Sequence, residues 1–355
     1  MNAHKTASAG KPARQSGVEL LRIAAGMAVV FLHMNYGPGG GGLATTAVGF
    51  NRAYLDALEG LCVCAVNVFL LISGAFGGRK RSISLKKLAL LLVQTVAFRF
   101  VAKLAFSVLS GHFSLPELLF ALVPVNYYVI LYVALMLLTP FINAGLERLS
   151  ETGLRRLALT AFLVLSVYAT AVDVAGELTG ASLAGLSSIG LDGSSQGYTI
   201  VNFALMYVLG VWLGRSRAQW ERIGTPWLVG AVPVIAALLY GWHRLLPETA
   251  WMYSNPLVIL EACAVFALFS RLRFSSKVVN AIAPASFTCY LAHGYVLELV
   301  KLDGLGALSW PVMALAVALA VAGIYLVSTA VYFVWNIAVK QVFGPEDGRL
   351  VLSAE

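Results

Sequence analysis

Apolar residues fill this chain in long blocks separated by short polar connections, and the blocks have the length a lipid bilayer demands. A helix crossing the hydrocarbon core needs about 20 predominantly apolar residues. On that ruler the sequence predicts about ten transmembrane helices, over residues 18–36, 53–76, 88–110, 118–144, 157–175, 198–214, 225–242, 254–270, 281–300 and 311–339. The runs are continuous rather than alternating, which excludes a transmembrane barrel. The expected fold is therefore an all-α integral membrane protein. One transmembrane domain covers 18–340, between short tails at 1–17 and 341–355. The first tail is polar and basic, and no small-residue cleavage site follows the apolar run behind it. That combination reads as an uncleaved first span and not a removed signal peptide.

Composition agrees with the pattern. Of 355 residues, 59% are apolar and 12% charged, where a soluble domain carries about 25% charged residues. The net charge of +8 raises the question of nucleic acid, and its distribution answers it. With a cytoplasmic N-terminus, 19 of the 25 Lys and Arg residues fall in inner segments, and only Arg52, Arg244 and Lys301 fall outside. This is the positive-inside bias of a membrane protein, so nucleic acid is not an expected partner and both termini are expected in the cytoplasm. Membrane lipids surround the chain. The cysteines Cys62, Cys64, Cys263 and Cys289 all lie in expected spans, without metal-ligand spacing, and no metal is expected. Two outer connections are long: 37–52, with its run Gly39 to Gly42, and 174–197, rich in Gly and Ser. The glycine run lacks the Lys-Ser/Thr of a phosphate loop.

Arg22, Arg99 and Lys103 remain inside spans, where ionisable groups are costly and normally pair or face a cavity. On the first helix Arg22 and His33 are separated by ten residues. Eleven steps of 100° return to within about 20° of the start, with a rise of roughly 16 Å. Glu19 lies one turn before Arg22 on the same stripe, and Gly26 leaves a notch in it. Arg22 has a plain alternative role, snorkelling to the headgroups with Glu19 as its partner. A buried His also has one, as a hydrogen-bonded core residue.

Four blocks give the stripe a context. Residues 17–33 resemble the opening of the acyltransferase-3 family of membrane-bound O-acyltransferases, in which a basic residue, ten others and a histidine follow an acidic one; Arg22, His33 and Glu19 fit that spacing. Residues 66–74, VNVFLLISG, are similar to the family's second-span segment. Residues 125–143, VNYYVILYVALMLLTPFIN, and 286–293, SFTCYLAH, are similar to its later blocks. The likeness extends from residue 17 to about residue 340. Tyr127 stands in place of the common tryptophan, and Asn67 in place of a more usual Asp, Pro or Gly. These departures resemble the branch associated with surface polysaccharides in Gram-positive bacteria.

The resemblance implies an O-acyltransferase of the bacterial cell membrane, using cytoplasmic acyl-CoA, with acetyl-CoA the expected donor, and a glycan or lipid-linked sugar as acceptor. It implies His33 as the general base, a role that an imidazole titrating near neutrality can fill. Arg22, with Glu19, would anchor the donor. A carboxylate or carbonyl should fix the His33 tautomer, and Glu261 and Glu298 are the carboxylate candidates, Glu261 preferred. Arg99 and Lys103, one turn apart, form a cationic face that either binds the donor or is neutralised by Glu261. Ser73, Tyr128 and His293 are expected to line the acceptor path or support the core. The rival reading is a small-molecule transporter or flippase, because ten helices with midplane charges also describe such proteins.

Overall fold

Each of the ten expected stretches is largely helical in the computed structural model, which describes residues 14–36, 41–181, 197–300, 302–344 and 351–354. Helix α1 is Ser16–Asn35, α2 Leu43–Thr46, α3 Gly49–Cys62 and α4 Ala65–Gly77. A short strand β1, Ser82–Ser84, leads into α5, Leu85–Ser110, and then α6, Leu115–Phe120, and α7, Tyr127–Glu147. Helix α8, Glu151–Phe162, continues through a π-helical segment at Leu163–Tyr168 into α9, Ala169–Thr179. There follow α10, Ile200–Arg215, α11, Arg217–Trp220, α12, Thr225–Leu245, α13, Pro247–Ala250, and α14, Pro256–Ser270. The chain closes with α15, Lys277–Ile282, α16, Ala285–Leu297, α17, Trp310–Phe343, and strand β2, Val351–Ser353. Start signals are local: the side chains of Ser84, Ser114, Asn126, Ser150, Thr199, Asn255 and Ser276 each cap the following helix by accepting a backbone N–H.

Seven helical segments are long and apolar enough to cross a membrane: Ser16–Asn35, Gly49–Gly77, Leu85–Ser110, Tyr127–Glu147, Glu151–Thr179, Thr225–Leu245 and Trp310–Val342. The other three expected spans are shorter, with 16 residues in α10, 15 in α14 and 13 in α16. Proline explains two departures from the expected boundaries. Proline has no N–H to continue a helix and crowds the carbonyl four residues back, so the 118–144 stretch breaks around Pro124 into α6 and α7, and the 281–300 stretch breaks at Pro284, where Asn280 O is met by Arg14 instead. The outer connection expected from residue 174 begins instead as helix, and ends at Gly180 with φ +67 in a left-handed cap. Its remainder, 182–196, lies outside the described residues, as do the tail at 1–13, Gly39 and Gly40, and Lys301 and Arg349.

One end of the bundle gathers the chain's basic connections. Strand β2 pairs antiparallel with β1, Ser82 opposite Ser353. Arg81 pairs with Glu147, Arg215 donates to Leu146 O at 3.0 Å, and Arg217 to Ser270 O at 2.8 Å. Ser16 and Arg14 bond Asn280, at 2.9 and 2.8 Å. The start of α1 and the end of the chain therefore lie at the same end.

The closest packing joins α4 to α10. Gly74 and Gly78 face Gly210 and Gly214, two small-xxx-small spacings of the kind that lets helix backbones approach. A Cβ on Gly74 would strike Tyr207 O, one on Gly210 would strike Leu71 O, and one on Gly214 would lie 2.8 Å from Ala75 O. Val68, Leu70, Leu71, Phe203, Met206 and Tyr207, each at most 1% exposed, continue the contact. Gly210→Val should therefore destabilise the protein by about 1–3 kcal/mol or more through overpacking, read as a lower melting temperature in detergent. Gly230→Ala, where nothing lies within 4 Å, should change it by no more than about 1 kcal/mol, in the favourable direction.

Candidate active site

The α1 stripe is present in three dimensions, and its two ends meet different partners. Near its N-terminal end Arg22 pairs loosely with Glu19, Nη1 to Oε2 3.9 Å. Arg22 lines a cavity of about 450 Å³ together with Lys80, Ser82, Ser84 and Lys87, and with Ser73, Tyr132, Thr139 and Tyr207 further in. Midway, the Gly26 notch is filled: a Cβ there would come 3.0 Å from Tyr325 and 3.4 Å from Ser286, whose hydroxyls bond at 2.8 Å.

At the outer end the His33 Nδ1–H reaches Val29 O at 2.9 Å. A carbonyl acceptor on Nδ1 leaves Nε2 as the basic nitrogen of the neutral ring. His293 on α16 repeats the arrangement, with Nδ1 3.0 Å from Cys289 O, and its buried Nε2 has no hydrogen-bond partner. The two rings stand edge to face, centroids 4.5 Å apart. They form a pair of imidazoles, each oriented by the carbonyl one turn behind it.

A sequence of aromatic rings links this pair to the Arg22 cavity. Tyr132, in the cavity wall, stacks on Tyr128 at 5.9 Å; Tyr128 lies 4.8 Å from Tyr290, and Tyr290 6.0 Å from His293. Ser73 Oγ donates to Phe69 O at 2.9 Å and lies 3.5 Å from the Tyr132 hydroxyl. The Tyr290 hydroxyl donates to Asn126 Oδ1 at 3.1 Å. Tyr127, Tyr198 and Tyr253 pack in line beside it, at 4.3 and 4.9 Å between successive rings. Tyr198, Tyr253 and Tyr290 were not singled out by sequence, because an aromatic in an apolar span has no distinctive pattern.

Other expected residues lie elsewhere. Glu261 on α14 is fully buried, with the Cys64 thiol as its nearest donor and Cys62 as a further neighbour. The group that orients His33 is the Val29 carbonyl, not Glu261 or the exposed Glu298. Nor does Glu261 neutralise Arg99 or Lys103. Arg99 donates to Val123 O at 3.0 Å and covers the Phe120 ring at 4.5 Å, while Lys103 pairs with Glu117 at 3.8 Å. Both hold α6 against α5, away from the cavity that Arg22 lines.

Two acidic residues missed by sequence, Asp56 and Glu59, organise the outer end. Asp56 accepts both Nε–H contacts of Arg52 at 3.0 Å and the Tyr36 hydroxyl. Arg52 also donates to Ala44 O at 2.7 Å. Glu59 accepts from Asn35 at 2.9 Å. The i, i+3 spacing of Asp56 and Glu59 within an apolar run was the available signal.

The blocks that were distant in sequence thus meet in space: His33 with His293, Tyr290 with Asn126, Asn67 with Tyr253 O at 2.8 Å, and Ser73 with Tyr132. A family model for the acyltransferase domain of acyltransferase-3 type matches residues 15–329. The chain belongs to the acyltransferase-3 family. No curated protein and no solved structure gives a significant match. Acyltransferase-3 membership makes this a membrane acyltransferase with an acyl donor and an acceptor.

Asn143, the last residue of the block at 125–143, holds the cavity rim. Its Nδ2 donates to Gly77 O at 3.0 Å and Lys80 O at 2.8 Å, and its Oδ1 accepts from the Tyr207 hydroxyl at 3.1 Å. Asn143→Ala should cost about 1–3 kcal/mol of stability by leaving these buried groups unpaired, measurable as a lowered thermal midpoint. Asn143→Asp, which keeps the Tyr207 bond but sets a carboxylate oxygen against two carbonyl oxygens, should cost at least as much.

Proposed function

We propose that this protein is an O-acyltransferase, with acetyl the expected group, moving it from acyl-CoA to a hydroxyl of a cell-surface glycan or lipid-linked sugar. The observation that carries the reading is the α1 stripe: Arg22 in a cavity at the basic end, and His33 roughly 16 Å along the helix with Nε2 free and His293 beside it. That rise is of the order of an extended pantetheine arm, so phosphates at Arg22 and a thioester near His33 are compatible. We take the basic end as cytoplasmic under the positive-inside rule. The ten helices then cross a bacterial cell membrane an even number of times, three of them as short buried spans, with tails at 1–17 and 341–355 flanking the domain at 18–340.

In this mechanism the acceptor hydroxyl approaches from the outer end, past Tyr127, Tyr128, Tyr198, Tyr253 and Tyr290. Its oxygen attacks the thioester carbon as His33 Nε2 takes the proton. The tetrahedral adduct collapses, the C–S bond breaks, and the departing thiolate recovers the proton from the imidazolium. The ester and coenzyme A thiol are the products. Neutral His293, whose Nδ1 is held by Cys289 O, steadies the charged His33 ring across their edge contact. The Val29 carbonyl supplies the tautomer control that a carboxylate supplies elsewhere.

The test uses purified protein and radiolabelled acetyl-CoA. His33→Ala should lower transfer by about 10²–10⁴-fold, the usual worth of a general base, with the melting temperature kept. Arg22→Gln should raise the KM for acetyl-CoA about tenfold or more, as for a hydrogen bond to a charged group, with kcat less affected. Arg99→Gln with Lys103→Gln should leave that KM unchanged. An unaltered KM in Arg22→Gln, or transport of a solute with no acyl-CoA requirement, overturns the reading.

A further inference from the structure

A second cavity, of about 310 Å³, lies at the same end of the bundle and has no part in the mechanism above. Gly74, Ala75, Gly78 and Arg79 line it from α4 and the turn after it, Gly214, Arg215 and Arg217 from α10 and α11, and Ser270 closes it from α14. Its volume falls at the small end of the range for ligand sites, about 300–1,000 Å³. Among the described residues its wall holds three guanidinium groups and no carboxylate.

The guanidiniums are positioned and not used up. Arg215 spends one N–H on Leu146 O. Arg217 spends two, on Glu221 and Ser270 O, both at 2.8 Å. Each guanidinium has five donors, so most remain. Arg79 is exposed at the rim. Glu221, on the far side of Arg217, has its carboxyl held below the usual range by the Arg217 hydrogen bond and by the charges of Arg217, Arg273 and Arg271, which marks the local field as positive.

The two cavities are neighbours. Phe76 lines both, and one stretch of chain divides them, with Ser73, Gly77 and Lys80 facing the Arg22 cavity while Gly74, Gly78 and Arg79 face the second. The C-terminal carbonyls of α4 would repel anions on either side, but Asn143 covers those of Gly77 and Lys80. Coenzyme A carries phosphate in two separate places, a diphosphate and a phosphate monoester on the ribose. We propose that the second cavity binds a phosphate monoester, that of the acyl-CoA donor, between Arg79, Arg215 and Arg217, while Arg22 and Lys80 meet the diphosphate. This rests on the acyl-CoA reading and adds to it a second anchor that distinguishes the full donor from its dephosphorylated form.

The experiment compares binding of coenzyme A and dephospho-coenzyme A to the full chain in lipid nanodiscs by calorimetry. The intact molecule should bind about 10- to 100-fold more tightly, the worth of a charge-assisted bond to a lost phosphate. The preference should shrink to under about threefold in Arg79→Gln, whose exposed side chain lies at the cavity rim; its melting temperature checks that the fold is kept. Equal binding of the two ligands by the unaltered protein overturns the second anchor while leaving the acyl-CoA reading standing. Binding of neither overturns both. Equal binding together with displacement by phosphatidic acid in the nanodisc, or by inorganic phosphate alone, assigns the cavity to a lipid headgroup or a free ion and overturns its assignment to the donor.

Discussion

The close approach of α4 and α10 is the constraint on which the inner half of the molecule depends. Lipid offers helices little hydrophobic reason to associate, so tight backbone packing has to supply it. Gly74, Gly78, Gly210 and Gly214 remove the side chains that would hold the two axes apart. The consequence is a thin wall: the last turn of α4 becomes a partition with a cavity on each face, and no bulky side chain fills either one. The same glycines bring Tyr207 under Asn143, which then covers the exposed carbonyls at the end of α4. Packing, capping and cavity formation are one arrangement and not three.

Helix α1 supplies the second axis, and it divides labour along its length. Near Ser16 it is pinned by Asn280 and by the contact of Gly17 with Phe269 O. Near Asn35 it is pinned by Leu55 O and Glu59. Between those anchors the Ser286–Tyr325 pair fills the notch at Gly26. A helix fixed at both ends and in the middle keeps Arg22 and His33 at constant separation, which is what a reaction needs when the donor is held at one point and attacked at another. The His33 ring is oriented from within its own helix, by a carbonyl four residues back, so no distant side chain has to arrive for it to be set.

Much of this was legible in the sequence, and the limits have physical causes. Lipid demands long apolar runs, so all ten helical stretches could be placed. A single helix has a fixed period, so the stripe of Glu19, Arg22 and His33 could be drawn from spacing. Contacts between helices have no such period. The carbonyl partner of His33 carries no side-chain signature, and Glu261 attracted attention only because a buried carboxylate is conspicuous. Pro124 broke a helix that hydropathy made continuous, and α6 with the turn after it supplies Phe120, Val123 O and Glu117 to the pair Arg99 and Lys103. The glycine spacings 74–78 and 210–214 went unread in the sequence, because nothing along one chain says which helix a small-residue face will meet.

The basic residues sort by how completely they are matched, and the sorting follows place. Arg52 has Asp56, Tyr36 and Ala44 O; Arg81 has Glu147; Lys103 has Glu117; Arg99 has a carbonyl and a ring face. Each ties two segments together, and its charge is answered by protein. Around the end of α4 the balance is mixed. Arg217 has Glu221 and Ser270 O, but Arg22 has one carboxylate at 3.9 Å, and Arg215 a single carbonyl. Topology explains why positive charge collects at one end of a membrane protein, but it gives no reason for guanidiniums to line two enclosed spaces on either side of one helical turn. Solvated loops would satisfy the topological rule as well and with less desolvation. Incompletely matched cations in a formed cavity are stable only when water or an anion completes them, and here the two cavities lie side by side at the inner end of the helix that carries His33.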